Sequence, residues 1–266
     1  MKKITYTMKF LSSTIVSPRA GQAFYHGIDT FCREPVLCPS DPKGAKTVKV
    51  VYPFYQYGMY EKYDPDHAEY YLPGSSVKGA LLQKNDKKIH IIMADDIPVA
   101  REQIVLKNLE KAQYVSDYNE ADFKLFFDNV GVEMLKAGSV LSGDLYLEDD
   151  IAFEEILEDA NSAATAKISQ MCRYLETLMK NEYKSVEFKK ELKQMLEKLY
   201  SLEKRKSIIL IGGYKGLLHS ILLKADRKTK KRHENSEKGR GIFLDREKDL
   251  PHGLASIRCE SEVQIL

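Results

Sequence analysis

The sequence contains no tryptophan, and its four cysteines include no Cys-x-x-Cys pair. It has no apolar run long enough to cross a bilayer, which argues against a membrane-spanning protein. Met1–Tyr6 alternates like a β-strand and does not resemble a signal peptide. We therefore expect a cytoplasmic protein with reduced thiols and no membrane partner.

The charges show little excess of either sign. Lysine and arginine number 41 against 39 aspartates and glutamates, which gives a formal net charge of +2. A nearly neutral chain must meet any polyanion through local patches. With 266 residues, 43% hydrophobic and 30% charged, the chain is long enough for one large globular domain or two small ones.

The most informative segment is Tyr71–Leu82, in which an apolar pair runs into Pro-Gly, two serines, a lysine and a second glycine. Pro73 and Gly74 should break a strand, and either serine can cap the helix that follows. The free amides and dipole at such a helix start suit a phosphate, although an ordinary capped helix is the alternative. The Walker order Gly-x-x-x-x-Gly-Lys-Ser/Thr is absent. The candidate contacts are Gly74, Ser75, Ser76, Lys78 and Gly79.

A second glycine-rich segment follows an apolar strand at Ser207–Ile211. Its glycines would leave backbone amides open to phosphates and its lysine adds charge, whereas the alternative is a tight turn that needs glycine for steric reasons alone. The candidate contacts are Gly212, Gly213, Tyr214, Lys215 and Gly216.

A basic run covers Lys224–Arg232. Such a run is typical of a solvated loop, and it is also a surface for phosphates; both interpretations hold if the loop becomes ordered on RNA. The candidate cations are Arg227, Lys228, Lys230, Lys231 and Arg232.

Several of these segments resemble one family. Pro73–Gly79 resembles the Pro-Gly-Ser-Ser-x-Lys-Gly signature of the RAMP superfamily, the RNA-binding subunits of CRISPR effector complexes. Ser17–Gly21 resembles the glycine-containing turn after the family's first strand, and Glu133–Val140 resembles its Glu-x-x-x-x-Gly segment. Ile211–Leu218 together with Pro251–Gly253 resembles the C-terminal pattern of the subunit that caps the backbone of type III-A (Csm) complexes.

The resemblance implies an α+β, ferredoxin-like (RRM-like) RAMP fold with insertions. We expect a core over residues 1–150 with an irregular excursion at 22–70, a two-helix insertion at 151–206, and a return to the core at 207–266. The implied function is a non-catalytic scaffold in antiviral defence that binds the 3′ part of the guide RNA (crRNA). Other backbone subunits are implied partners, and target single-stranded RNA is an additional one. Arg19 and Gly21 join the candidate RNA contacts.

Three alternatives remain open at this point. RNA cleavage is one: Asp29 lies where the family's repeated backbone subunit carries a target-cutting aspartate, which implies a metal-dependent endoribonuclease, and His26 could instead be the general base of the family's histidine-based processing nuclease. A zinc site formed by Cys32 and Cys38 with His26 and His67 lacks a recognised spacing. A small phosphorylated ligand at Gly74–Gly79 is the third. We expect no cofactor, with Mg²⁺ required only by the nuclease, and we interpret acidic pairs such as Asp95/Asp96 as solvated loop residues.

Overall fold

The computed structural model describes residues 1–18, 36–37, 46–58, 60, 63–82, 92–114, 121–126, 128–180, 185–212 and 241–265. These ranges contain three helices: α1 (Gly74–Leu81), α2 (Phe153–Met179) and α3 (Val186–Glu203). The strands are β1 (Lys2–Phe10), β2 (Val36–Leu37), β3 (Thr47–Tyr52), β4 (Tyr70–Leu72), β5 (Ile92–Ala94), β6 (Ile97–Val99), β7 (Ile104–Lys107), β8 (Leu109–Tyr114), β9 (Ala121–Phe126), β10 (Val130–Leu135), β11 (Val140–Leu147), β12 (Ile208–Leu210), β13 (Gly241–Asp245), β14 (Leu250–Pro251) and β15 (Leu254–Gln264).

The largest sheet has five strands in the order β12-β15-β1-β11-β5, and every neighbouring pair is antiparallel. Strand β1 lies at its centre, and its even-numbered residues Ile4, Tyr6, Met8 and Phe10 are fully buried. Its odd-numbered residues are half-buried or exposed on the other face. The alternation in the sequence therefore predicted this strand and its buried face correctly.

Two helices cover the buried face of this sheet. Val77, Ala80 and Leu81 of α1 belong to the same core cluster as the even-numbered residues of β1. Phe153, Ile156 and Ala160, from the first turns of α2, belong to it as well. The start of α2 therefore packs on the main sheet.

A second core lies farther along the same long helix. The later part of α2, from Ala164 to Leu178, packs with α3 in this cluster. Ile208, Ile242 and Leu254 also belong to it, so the helix pair contacts both the edge of the main sheet and a second sheet. Both helices are amphipathic in sequence, and each buries its apolar face.

The remaining strands form smaller sheets in the orders β2-β3-β10-β7, β14-β13-β8-β9 and β4-β6. In the first of these, β10 runs parallel to β3 and antiparallel to β7. The sequence pattern of residues 99–106 by itself predicts one strand, but the structure divides these residues between two strands. A 3₁₀ turn at Arg101–Gln103 separates β6 from β7, and the Gln103 side chain accepts a hydrogen bond from the Ala100 amide at 3.1 Å.

The fold is therefore α+β, as predicted, with mostly antiparallel sheets and three helices in the described ranges. None of the described helices combines the length and apolar character needed to cross a bilayer.

Candidate nucleic-acid interface

The chain segment that follows β1 is held by buried polar side chains. Ser12, Ser13 and Thr14 are each 1% exposed or less. The Ser12 hydroxyl accepts a hydrogen bond from the Leu254 amide at 3.0 Å, and the Ser13 amide donates to Asp245 Oδ2 at 2.7 Å. The C-terminal strands therefore fix the direction in which the chain leaves β1.

His252 completes this network. Its Nδ1 lies 3.0 Å from the Ser13 hydroxyl and 3.1 Å from the Ser13 carbonyl oxygen. Burial lowers the pKa of His252 to about 4, against the opposing effect of Asp245, so the ring is neutral near neutral pH. A serine, a histidine and an aspartate meet here, but Asp245 binds the Ser13 amide and the serine is buried. The arrangement stabilises a turn and does not expose a nucleophile.

Gly212 lies against the same segment. It has a positive φ of 62°, and a Cβ at this position would come within 2.4 Å of the Ile15 carbonyl oxygen. Glycine is therefore required here by both conformation and contact. Ile15 and Gly212 therefore lie side by side. The chain continues from them to the candidate contacts at residues 19–21 and 213–216.

Helix α1 joins the same part of the molecule. Its residue Val77 shares a core cluster with Val16, from the segment after β1, and with Ile211, which precedes Gly212. The three glycine-containing segments singled out in the sequence are thus anchored to one core.

The helix start differs from its prediction in one respect. Pro73 is the N-cap residue, with φ −62° and ψ 134°, and no side chain caps the helix. The prediction of a serine cap was wrong, because the helix already begins at Gly74 and both serines lie within its first turn. A Cβ on Gly74 would come within 1.9 Å of the Ala94 carbonyl oxygen, so glycine lets the helix start approach β5.

An acidic side chain already occupies part of this helix start. Asp96 Oδ1 accepts a hydrogen bond from the Gly74 amide at 2.7 Å, and the Ser76 amide donates to the Pro73 carbonyl oxygen at 2.9 Å. Asp96 is an exposed loop residue, as expected, and this hydrogen bond is an additional role for its side chain. What the helix presents to solvent is the exposed Ser75 and Gly79 together with the half-exposed Lys78.

The other sequence-predicted contacts cannot be located in the same way. The residues outside the described ranges are Arg19, Gly21, Gly213, Tyr214, Lys215, Gly216, Arg227, Lys228, Lys230, Lys231, Arg232, Asp29, His26, Cys32 and Cys38. Their roles remain predictions.

Metal ligation receives no support from the described residues. No group of three or more histidines, cysteines, aspartates or glutamates within those ranges is placed to hold a metal ion. His67, which belonged to the zinc hypothesis, is exposed, and its Nδ1 lies 2.9 Å from Asp64 Oδ1.

Sequence reasoning missed the structural role of Glu133. This side chain is 1% exposed. It accepts hydrogen bonds from the Phe54 amide at 2.9 Å and from the Tyr70 hydroxyl at 2.5 Å. Burial raises its pKa, and both hydrogen bonds act in the opposite direction. A glutamate within the apolar run Val132–Leu135 was the available signal, because such a residue needs buried partners. Glu133 therefore ties Phe54 and the start of β4 to β10.

The open face of the five-stranded sheet is polar. Its central strands present residues such as Thr5, Thr7, Ser142 and Asp144, and Thr5 Oγ1 donates to Asp144 Oδ1 at 2.7 Å. Among the described residues on this face, Tyr146 is the aromatic one. The face therefore lacks the set of central aromatics that RRM sheets use for stacking bases.

The comparisons with known proteins establish a fold. No family model matches the chain, and no curated protein matches its sequence. A chain from a cryo-EM structure of a Csm-crRNA-target RNA ternary complex in a type III-A CRISPR-Cas system matches with a TM-score of 0.50 and 13% identity. The match covers 97% of this chain and 100% of that one. At this identity the likeness is one of fold, and it is consistent with the RAMP-like fold that the sequence motifs imply.

Proposed function

We propose that this chain is an RNA-binding structural subunit of a type III CRISPR effector complex. In this role it binds the 3′ part of the crRNA and caps the backbone filament of a Csm-type assembly. The observation that carries the proposal is the fold match, which extends over nearly the whole of both chains and involves a chain from an assembly with crRNA and target RNA. The motifs quoted from the sequence support it independently.

The order of elements supports a ferredoxin-like core. Strand β1, helix α1, strands β5 and β11, helix α2 and strand β15 follow one another in the βαββαβ order of that fold, interrupted by the smaller sheets and by α3. In the sheet these four strands take the order β15-β1-β11-β5, with β12 added at one edge. The proposed boundaries at residues 150 and 206 remain predictions.

The anchoring of the glycine-containing segments supports a phosphate-binding role. Single-stranded RNA can be held through its backbone by cations and exposed amides, with little reading of sequence. Val77, next to Lys78, shares its core cluster with Val16 and Ile211, and Gly212 packs against Ile15. The polar face of the main sheet argues for this mode over base stacking on the sheet.

No observation on the described residues favours a nuclease or a metal site. The endoribonuclease alternative rests on Asp29 and the sequence alone.

Reconstitution tests the proposal directly. The tagged chain would be co-expressed with a set of type III-A subunits and a CRISPR array, then purified by affinity at moderate salt. We expect the other subunits and guide RNA to co-purify, and omission of the chain to change the length of the retained guide at its 3′ end. A tagged chain that recovers neither RNA nor subunits would contradict the proposal.

A further inference from the structure

A short extended segment widens the small sheet that leads into α1. Residues 54–57 run antiparallel to β4, where the Tyr57 amide donates to the Glu69 carbonyl oxygen at 3.0 Å and the Tyr71 amide donates to the Tyr55 carbonyl oxygen at 3.0 Å. Strand β6 pairs with the other edge of β4. The side chains of three neighbouring strands therefore meet on each face of this sheet.

The two faces of this sheet differ in what they contact. Tyr70 and Leu72 point into the main core, where Tyr70 is 3% exposed and Leu72 is fully buried. Because side chains alternate along a strand, Tyr55, Tyr57 and Tyr71 lie on the opposite face. Tyr57 is 51% exposed, and the other two are half-buried. This face therefore presents three aromatic side chains toward solvent.

The rings of these three residues form a tyrosine stack (Tyr55, Tyr57 and Tyr71). The ring centroids of Tyr57 and Tyr71 lie 4.3 Å apart at an interplanar angle of 19°, and Tyr55 meets Tyr71 edge-on at 5.6 Å and 60°. The chain turns at Gly58, which has a φ of 83°, and a Cβ there would meet no described atom within 4 Å. Tyr57 is therefore the outer ring of the stack, held nearly parallel to the ring behind it.

The tyrosine stack is a neighbour of the helix start. Strand β4 ends at Leu72, and Pro73 caps α1 immediately after it. Asp96, which accepts a hydrogen bond from the Gly74 amide, also acts on Tyr71. Burial raises the pKa of Tyr71, and the Asp96 carboxylate adds to this rise. The aromatic face is therefore continuous with the candidate phosphate contacts of α1.

We propose that the tyrosine stack holds one base of a single-stranded RNA, which lies on the exposed ring of Tyr57. The inference rests on the proposed function and adds a base contact to its phosphate contacts. Stacking on an aromatic ring tolerates any base, because every base has a π-face. The exposed Glu69 and Asp96 flank the stack and repel phosphate, so we expect the base to meet the rings and the phosphates to turn toward Lys78.

Substitution of the outer ring tests this contact. Tyr57→Ala removes the exposed ring, whereas Tyr57→Phe keeps the ring and removes only its hydroxyl. Tyr200→Ala is the matched control, because Tyr200 is 39% exposed on α3 and lies outside the tyrosine stack. Thermal unfolding would establish that all three variants are folded.

The measurement is the binding of a fluorescein-labelled single-stranded RNA of about 12 nucleotides to the purified full chain, followed by anisotropy. We expect Tyr57→Ala to weaken binding about ten-fold, with Tyr57→Phe and Tyr200→Ala within about two-fold of the wild type. The slope of log K against log salt should stay the same in Tyr57→Ala, because a stacked base releases no counterions. Inorganic polyphosphate, which has no bases, should compete equally well against RNA bound to the wild type and to Tyr57→Ala.

The outcomes separate this inference from the proposed function. RNA binding that is equal in the wild type and Tyr57→Ala would overturn the inference and leave the proposed function standing. An equal loss in Tyr57→Ala and Tyr57→Phe would assign the effect to the hydroxyl and overturn the stacking contact. A wild-type chain that binds no RNA would contradict both. Unchanged RNA binding with subunits lost from a reconstituted Tyr57→Ala complex would make the stack a protein contact and overturn the inference.

Discussion

Gly74 brings two backbone segments together where no side chain fits. A Cβ on Gly74 would meet the Ala94 carbonyl oxygen at 1.9 Å, whereas nothing lies within 4 Å of a Cβ on Gly79. We expect Gly74→Ala to lower the free energy of unfolding by about 3 kcal/mol, because backbone atoms must move. Gly79→Ala should raise it by roughly 0.5–1 kcal/mol through helix propensity. Urea unfolding of both variants measures the difference, and equal stabilities would contradict the close packing of α1 on β5.

Lys78 carries the clearest residue-scale prediction about RNA. It lies in the last turn of α1, half-exposed and beside the exposed Gly79. We expect Lys78→Ala to weaken RNA binding and to flatten the dependence of log K on log salt by about 0.7, the value for one lost contact to a single strand. Anisotropy titrations at several salt concentrations measure this slope. An unchanged slope would remove Lys78 from the interface, and unfolding curves of the isolated variant control for stability.

His252 predicts a dependence of stability on pH. Its pKa falls from the ordinary value of 6.5 to about 4 in the folded chain, because the ring is buried. Between these values the unfolded chain binds a proton that the folded chain excludes, so stability is lost as the pH falls. The loss between about pH 7 and about pH 5 should be about 2 kcal/mol. His252→Gln should remove that part of the slope in denaturant titrations.

The exposed His67 supplies the matched control for this measurement. His67→Gln changes a histidine that contacts Asp64 at the surface and leaves the buried network intact. A wild-type slope that survives in His252→Gln and disappears in His67→Gln would show that another histidine governs the acid sensitivity.

At the scale of elements, short-range sequence patterns predicted individual strands and helices and the face that each one buries. The alternation around Tyr6 and the helical period around Leu175 each identified an element and its buried face. The sequence did not predict which strands pair. β10 and β11 are separated by a short turn at Gly138, yet they lie in different sheets, and β10 pairs in parallel with the distant β3. Such pairings depend on long-range packing that no short window encodes.

In the candidate site, too, the sequence identified single positions but not the contacts between distant residues. The glycine spacing identified Gly74 and Gly212 as special positions, and the structure explains both through close contacts. The glycine spacing did not reveal that the Asp96 side chain accepts a hydrogen bond from the Gly74 amide, because that contact joins residues 22 positions apart. It also gave no sign of the buried contact between Ser13 and His252, which joins residues 239 positions apart.

The helix pair gives an element-scale prediction. The apolar faces of α2 and α3 are buried, and cations near α3 are already paired, as in Lys198 with Asp249 and Arg246 with Glu191. Mixed charges of this kind repel phosphate as much as they attract it. We expect crosslinks from guide RNA to map to Arg19, Lys78, Lys215 and the basic run, with few within 151–206. Crosslinking followed by peptide mass spectrometry measures this, and dominant crosslinks on α2 or α3 would place the RNA on another face.

At the scale of the whole molecule, the fold alone does not separate a capping subunit from a repeated, target-cutting one. Both roles need an RNA-binding core, and a fold match at 13% identity is compatible with either. What separates them is the chemistry of one side chain, Asp29, which only the cutting role requires.

Asp29→Ala therefore tests the assignment in the assembled complex. If the chain is a capping scaffold, the variant complex should cut target RNA into the same set of products as the wild type, because the cuts are made by other subunits. Denaturing gels of end-labelled target in Mg²⁺ measure the products. Asp29→Asn is the matched control, since it keeps the shape of the side chain and removes only its charge. The disappearance of one specific product in both variants, with assembly intact, would show that this chain cuts RNA itself and would replace the scaffold with the endoribonuclease.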